Sequence, residues 1–287
     1  MKNTLTKWML VSLVTACVSV YYGPRSCFAE IKFGILPRLS AVELYSMFSP
    51  LAEYLTRETG EKVSIVIPRN FDAFKAAVNA GQIDIGFANS LIYVQLKREV
   101  ELVPLAVAAE LKAGIKFRGI IIARKDSGIE NIGYLRGKKM IFVEKDSAGG
   151  HIFQMFLLSK VGLDAHRDFI ILPFAKKHDN VVMAVYNRAA DAGGLREDDL
   201  ALMKDKVDLS QLKIVGFTDY YPNWPLFATS RLGKDSAEKI QAALLKLKPH
   251  AANSVRILGR ARLTGFAPVQ DKDYDQLRRA AKLAGAL

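Results

Sequence analysis

Two short stretches of this chain carry residues able to hold or transform a small anion. The first is Ser147-Ala148-Gly149-Gly150, between an apolar run ending at Val143 and an apolar helical pattern beginning at His151. A glycine-bearing loop that feeds a helix leaves backbone N–H groups pointing at a ligand, and the helix dipole adds to their pull. The Ser147 hydroxyl supplies a further donor. Asp146 or Ser147 could equally cap an ordinary strand-to-helix turn. No Lys follows Gly150, so the loop is not a nucleotide P-loop, and its spacing is not GxGxxG. The second stretch is His178-Asp179, which follows Lys176-Lys177 and precedes a helical pattern. An imidazole there can hydrogen-bond an oxyanion, or lie at the surface beside a capping Asp.

Other chemistries lack their residues. His151, His166 and His250 are dispersed, so no histidine pair has metal-ligand spacing. Ser147, His178 and Asp219 include the residue types of a hydrolytic triad, but the loop lacks the GxSxG elbow that strains and exposes a nucleophilic serine. The residue types therefore predict capture rather than catalysis, with no cofactor and no metal.

The elements that must position these residues alternate in type. Residues 31–36, 63–67, 83–87 and 102–109 are β-like and apolar, and helical patterns occupy 41–59, 71–80 and 91–97 between them. Leu44, Phe48, Leu51 and Leu55 give the first helix one apolar face, and Gly60 ends it. This alternation predicts a parallel sheet flanked by helices. A second series starts near residues 112–116. Its strands are 117–123, 139–143, 169–172, 189–193 and 212–217, and its helices 151–161 and 181–187. From Lys234 onward the pattern is mostly helical, at 237–247, 254–262 and 274–283. The fold class expected is α/β with two lobes, each a mixed, mostly parallel sheet. Residues 30–113 with 222–287 form one lobe and 114–221 the other, with the ligand cleft between them.

Residues 1–29 stand apart. Lys2 and Lys7 precede an uncharged apolar-to-small run at 8–22, Gly23-Pro24 breaks it, and Ser26-Cys27-Phe28-Ala29 offers a cleavage site ahead of Glu30. This is the pattern of a secretory signal peptide, and the run is shorter than the roughly 20 residues of a spanning helix. Val14-Thr15-Ala16-Cys17 resembles the box before a lipid-modified cysteine, but the apolar residues after Cys17 favour the cut after Ala29. Both cysteines fall in this leader, so the exported chain is expected to hold no disulfide or zinc–sulfur site. Of 41 basic residues three lie in the leader, leaving 38 against 29 acidic ones, a net charge near +9. The basic residues are scattered without interleaved aromatics, which predicts attraction of small anions rather than nucleic acid.

Several stretches, in this order, resemble the phosphate, phosphite and phosphonate substrate-binding proteins of ABC transporters. They are Gly34-Ile35-Leu36-Pro37, Pro50-Leu51-Ala52-Glu53-Tyr54-Leu55, and Ala80-Gly81-Gln82-Ile83-Asp84-Ile85-Gly86-Phe87. Then come Arg124-Lys125-Asp126-Ser127-Gly128-Ile129, Leu135-Arg136-Gly137-Lys138-Lys139, Ala190-Asp191-Ala192, Pro222-Asn223-Trp224-Pro225 and Asp273-Tyr274-Asp275. The resemblance implies a type II periplasmic binding fold, an extracytoplasmic monomer that is not an enzyme, and a membrane permease as partner. A receptor kinase is the alternative partner.

The resemblance also assigns a site. The family's hydroxyl-rich loop falls on Ser147, Ala148, Gly149 and Gly150, where Ser147 and Gly150 match while Ala148 and Gly149 replace hydroxyl residues. The family histidine falls on His178, and the first-lobe loop on Ala88-Asn89-Ser90. Phe71 and Phe117 stand where binding tyrosines are often found, and Trp224 where some phosphonate binders carry an Asp. Hydroxyl and phenol donors are thus lost, and each missing partner of a sequestered oxyanion costs about 1–3 kcal/mol. Phosphate, phosphite or phosphonate is the ligand class the resemblance implies, with another small anion or an aromatic-bearing solute behind it.

Overall fold

The computed structural model describes residues 30–110 and 114–287. The expected signal peptide, Cys17 and the start of the crossover at residue 112 lie outside the described residues. Among the described residues no helix is long and apolar enough to cross a membrane.

The chain begins with β1 (Ile31–Ile35), α1 (Ala41–Thr59), β2 (Val63–Val66), α2 (Phe71–Asn79), β3 (Ile85–Phe87), α3 (Ser90–Leu96) and β4 (Leu102–Glu110). It continues through β5 (Lys116–Phe117), β6 (Gly119–Arg124), β7 (Lys139–Ile141), α4 (Phe153–Lys160), α5 (Ala165–Asp168), β8 (Ile170–Ile171), α6 (His178–Tyr186), β9 (Ala192–Arg196), α7 (Glu197–Ala201) and β10 (Leu212–Phe217). The last elements are β11 (Tyr221–Pro222), β12 (Pro225–Thr229), α8 (Lys234–Lys246), α9 (Ala252–Leu258), β13 (Leu263–Ala267) and α10 (Asp275–Leu283).

Local chemistry explains the element ends. At the start of α1 Ser40 and Glu43 form a capping box, satisfying two otherwise orphan donors. Gly60 ends that helix at φ 75°, a left-handed conformation that suits glycine. Asn89 caps α3, its Oδ1 accepting the Ile92 N–H at 2.8 Å.

Three sheets result. The first has the order β13-β4-β12-β3-β1-β2, the second β10-β6-β9-β7-β8, and a two-stranded ribbon joins β11 to β5. In the first sheet β1 runs parallel to β2 and β3, whereas β12 and β13 run antiparallel to their neighbours. Both sheets bury two faces. In β6, Ile120 and Ile122 pack with Val181, Val182 and Val185 of α6, while Ile121 and Ala123 face Leu158 of α4.

The sequence patterns miss the short elements α5, α7 and β11 and differ from the structure in further ways. Strands β12 and β13 were not expected, and β13 interrupts the C-terminal stretch read as helical. Both are antiparallel strands buried on two faces, so they lack the polar alternation that marks a strand. The strand expected at 117–123 is split, because Phe117 pairs across the ribbon with Tyr221 while Gly119 starts the second sheet. The helix expected at 151–161 begins earlier, in a wide π turn at Ala148–Ile152.

Candidate functional site

That π turn is the opening glycine loop. Its first hydrogen bonds run from Ile152 N–H to the Ser147 carbonyl (3.1 Å) and from Phe153 N–H to the Ala148 carbonyl. The amides of Ala148, Gly149 and Gly150 therefore precede the helical ladder. The glycines are also required by packing. A Cβ on Gly149 would lie 2.8 Å from the Phe117 ring, and one on Gly150 would strike Val143. The loop is held from beneath by Gln154, a fully buried side chain. Its Nε2 lies within hydrogen-bond distance of the carbonyls of Ile120 (3.1 Å), Gly149 (2.8 Å) and Leu195 (3.0 Å). Asp146, just ahead of the turn, reaches the first-sheet side through Lys75 of α2 (3.9 Å) and Gln95 of α3 (3.4 Å).

His178 is the first residue of α6, with its side chain about a third exposed at 29%. Its Nδ1 accepts the Arg196 backbone N–H at 3.1 Å. An acceptor cannot carry a proton, so the neutral ring holds its hydrogen on Nε2, where it can donate. Burial pushes the imidazole pKa down, and the Asp199 carboxylate, 3.4 Å from Nδ1, opposes this. Geometry and charge thus agree on a neutral donor.

Arg196 links the two sheets. From the end of β9 its guanidinium makes a two-pronged ion pair with Glu110, the last residue of β4, at 3.2 and 2.6 Å. Its Nε donates to Asp198 at 3.2 Å, and its charge lies 4.5 Å above the Phe117 ring. Phe117 is itself buried against Phe153.

The remaining expected residues lie on the first-sheet side. Asn89 and Ser90 follow the carboxyl end of β3, and both are buried. The Asn89 oxygen is committed to its cap, whereas the Ser90 hydroxyl is buried without a hydrogen-bond partner. Phe71 opens α2 and is half-buried against the core beneath α2 and α3. Trp224 stacks at a tilt on Phe87, ring centres 5.3 Å apart, and the Arg38 guanidinium lies 5.0 Å over its indole.

The structure thus brings His178, Gly149 and Phe117 together around Arg196, and Trp224 beside Arg38. Sequence reasoning missed Arg38, Glu110, Arg196 and Arg262. Arg38 follows β1 in the first strand-to-helix connection, the carboxyl end at which α/β sheets bind ligands, and that position was a readable signal. Glu110 and Arg196 carry no local signal, because they meet only through the tertiary fold. Arg262, His178, Asp199 and Met203 line a hollow of about 410 Å³. Among the described residues no group of three or more His, Cys, Asp or Glu could hold a metal ion.

Two helix-covered α/β sheets, joined by a short ribbon and meeting around charged groups and helix starts, define a type II periplasmic solute-binding protein. The family profile described as "ABC transporter, phosphonate, periplasmic substrate-binding protein" matches residues 33–274. The chain belongs to this family of transporter components. It is 26% identical to the phosphate-import protein PhnD of Mycolicibacterium smegmatis over 303 residues, spanning 96% of this chain and 94% of that one. The tetrathionate sensor histidine kinase TtrS of Salmonella typhimurium is 25% identical over 77% of this chain but only 40% of its own length. The solved structure of PhnD1 from Prochlorococcus marinus with methylphosphonate superposes with a TM-score of 0.73 at 17% identity, covering 90% and 99% of the two chains.

Proposed function

We propose that the chain captures a small oxyanion between two lobes, residues 30–113 with 222–287 and residues 114–221, and delivers it to an ABC permease as a monomer without chemical change. The observation that carries this reading is the set of donors on facing elements. The amides of Ala148, Gly149 and Gly150 and the Nε2–H of His178 come from the second sheet's side, and the Arg38 guanidinium and Ser90 hydroxyl from the first. The hinge is the ribbon of β5 and β11, where a small rotation closes one sheet's elements onto the other's. Export through the leader at 1–29, with a cut ahead of Glu30, completes the proposal.

The test is thermal unfolding of the exported protein with phosphate, phosphite and methylphosphonate. A ligand at about 100 times its Kd stabilises the folded state by about 2.7 kcal/mol, a readable rise in melting temperature. An unmoved melting temperature with all oxyanions tried overturns the reading. The likeness to TtrS favours a second reading, in which the loaded protein docks on a membrane receptor kinase. Deleting the gene for this chain separates the two, because solute uptake is then lost only if the protein serves transport.

A further inference from the structure

Arg196 meets the capture elements of the second lobe through several of its groups. Its backbone N–H donates to His178 Nδ1 at 3.1 Å. Its Cβ lies 3.5 Å from where a side chain on Gly149 would begin, so the stem backs the glycine loop. Its guanidinium rests 4.5 Å over the ring of Phe117, in the strand that pairs with β11. As the last residue of β9 it stands opposite Gly119, the first residue of β6.

The far end of this side chain is fixed in the first lobe. Nη1 and Nη2 donate to the two oxygens of Glu110 at 3.2 and 2.6 Å, and the paired side chains are only 11% and 22% exposed. Glu110 is itself held firmly. It ends β4 and exchanges two backbone hydrogen bonds with Gly114, at 2.9 and 3.0 Å, where the chain crosses between lobes. The Gly114 carbonyl also receives Asn223 Nδ2 from the returning crossover. The pair is thus rooted beside both crossovers and ends among the donors of the second lobe. With Nε given to Asp198 at 3.2 Å, each nitrogen of the guanidinium already serves a carboxylate.

A two-pronged guanidinium–carboxylate pair joins two planar groups, so it fixes orientation as well as distance. Such a pair, largely removed from water, adds little stability over apolar side chains of the same size. What it supplies here is geometry. We propose that the Glu110–Arg196 pair is a strut across the lobes, setting the distance and angle at which His178 and the loop amides face the first lobe. Both are then positioning residues for oxyanion capture, and Arg196 acts through its place rather than as a charge on the ligand. This rests on the capture reading above and deepens it.

Glu110→Gln separates place from charge by the sign of its effect. Charge alone predicts tighter anion binding, because a carboxylate is removed and a guanidinium uncovered. The strut predicts weaker binding, because the new amide N–H2 faces a guanidinium N–H and one prong is lost. Calorimetric titration of the exported protein with inorganic phosphate and methylphosphonate should show both weakened, by a similar factor of about tenfold or more. Stopped-flow binding should place the loss in faster dissociation, with association changed by less than about threefold. The double variant Glu110→Met with Arg196→Met replaces the pair by apolar side chains, and should melt close to the wild type while binding as weakly as Glu110→Gln. Glu110→Gln alone decides if that double variant does not fold. A Glu110→Gln protein that binds either anion as tightly as the wild type, or more tightly, overturns the inference and leaves capture standing. So does a double variant that melts normally and binds with full affinity. A wild type that binds neither anion overturns the capture reading, and the strut with it.

Discussion

His178 shows how one residue's surroundings set its chemistry. The Arg196 amide fixes the tautomer, and burial disfavours the charged ring. A histidine whose folded pKa is depressed leaves the unfolded state with more protons as pH falls. Its contribution to stability is whole above the unfolded value of about 6.5 and is lost as pH falls through the depressed folded value. Stability measured by urea unfolding should therefore decline from neutral toward acid, and His178→Gln should flatten that decline. An identical pH slope in the variant would refute this role for His178. The same change should weaken oxyanion binding at neutral pH, because the glutamine amide does not reproduce the Nε2–H position.

At the scale of elements, the π turn and α4 depend on one buried amide. Gln154 ties the loop at Gly149 to β6 at Ile120 and to β9 at Leu195. Replacing it with Leu removes these side-chain hydrogen bonds, at about 0.5–1.5 kcal/mol each. Urea unfolding of Gln154→Leu should show a loss in that range or above it. Gly150→Ala forces a methyl into Val143 and should cost about 1–3 kcal/mol by overpacking. The double variant with Val143→Ala should recover part of that loss. No recovery would mean that backbone conformation, rather than Val143, requires the glycine. A sequence pattern reveals the glycines but not which neighbour demands them, since Phe117 reaches them from β5 and Val143 from the stretch after β7.

Across the whole molecule, Asn223 binds the crossovers together. It is fully buried, its N–H donates to the Ile115 carbonyl at 2.9 Å, and its Nδ2 reaches the Gly114 carbonyl at 3.2 Å. Its Oδ1 accepts the Trp224 N–H at 2.9 Å, and its own carbonyl accepts the Tyr274 hydroxyl at 3.2 Å. Asn223→Ala should cost about 1–3 kcal/mol in urea unfolding and should speed hydrogen exchange at the ribbon. Unchanged exchange there would remove Asn223 from the hinge. The local sequence determined what neighbouring residues can settle: the capped helix α1, strand β10, the alternation of strand and helix, and the glycine loop ahead of an apolar helix. Together with the order of family motifs, these made the family legible and put His178 and the loop on the candidate list. Tertiary structure decided the rest. Only folding sets Arg196 between Glu110 and His178, lays Arg38 over Trp224, and turns β12 and β13 into strands. The reason is physical: caps, turns and periodicity act over a few residues, whereas charge compensation and burial depend on groups that are distant in sequence and adjacent only in space.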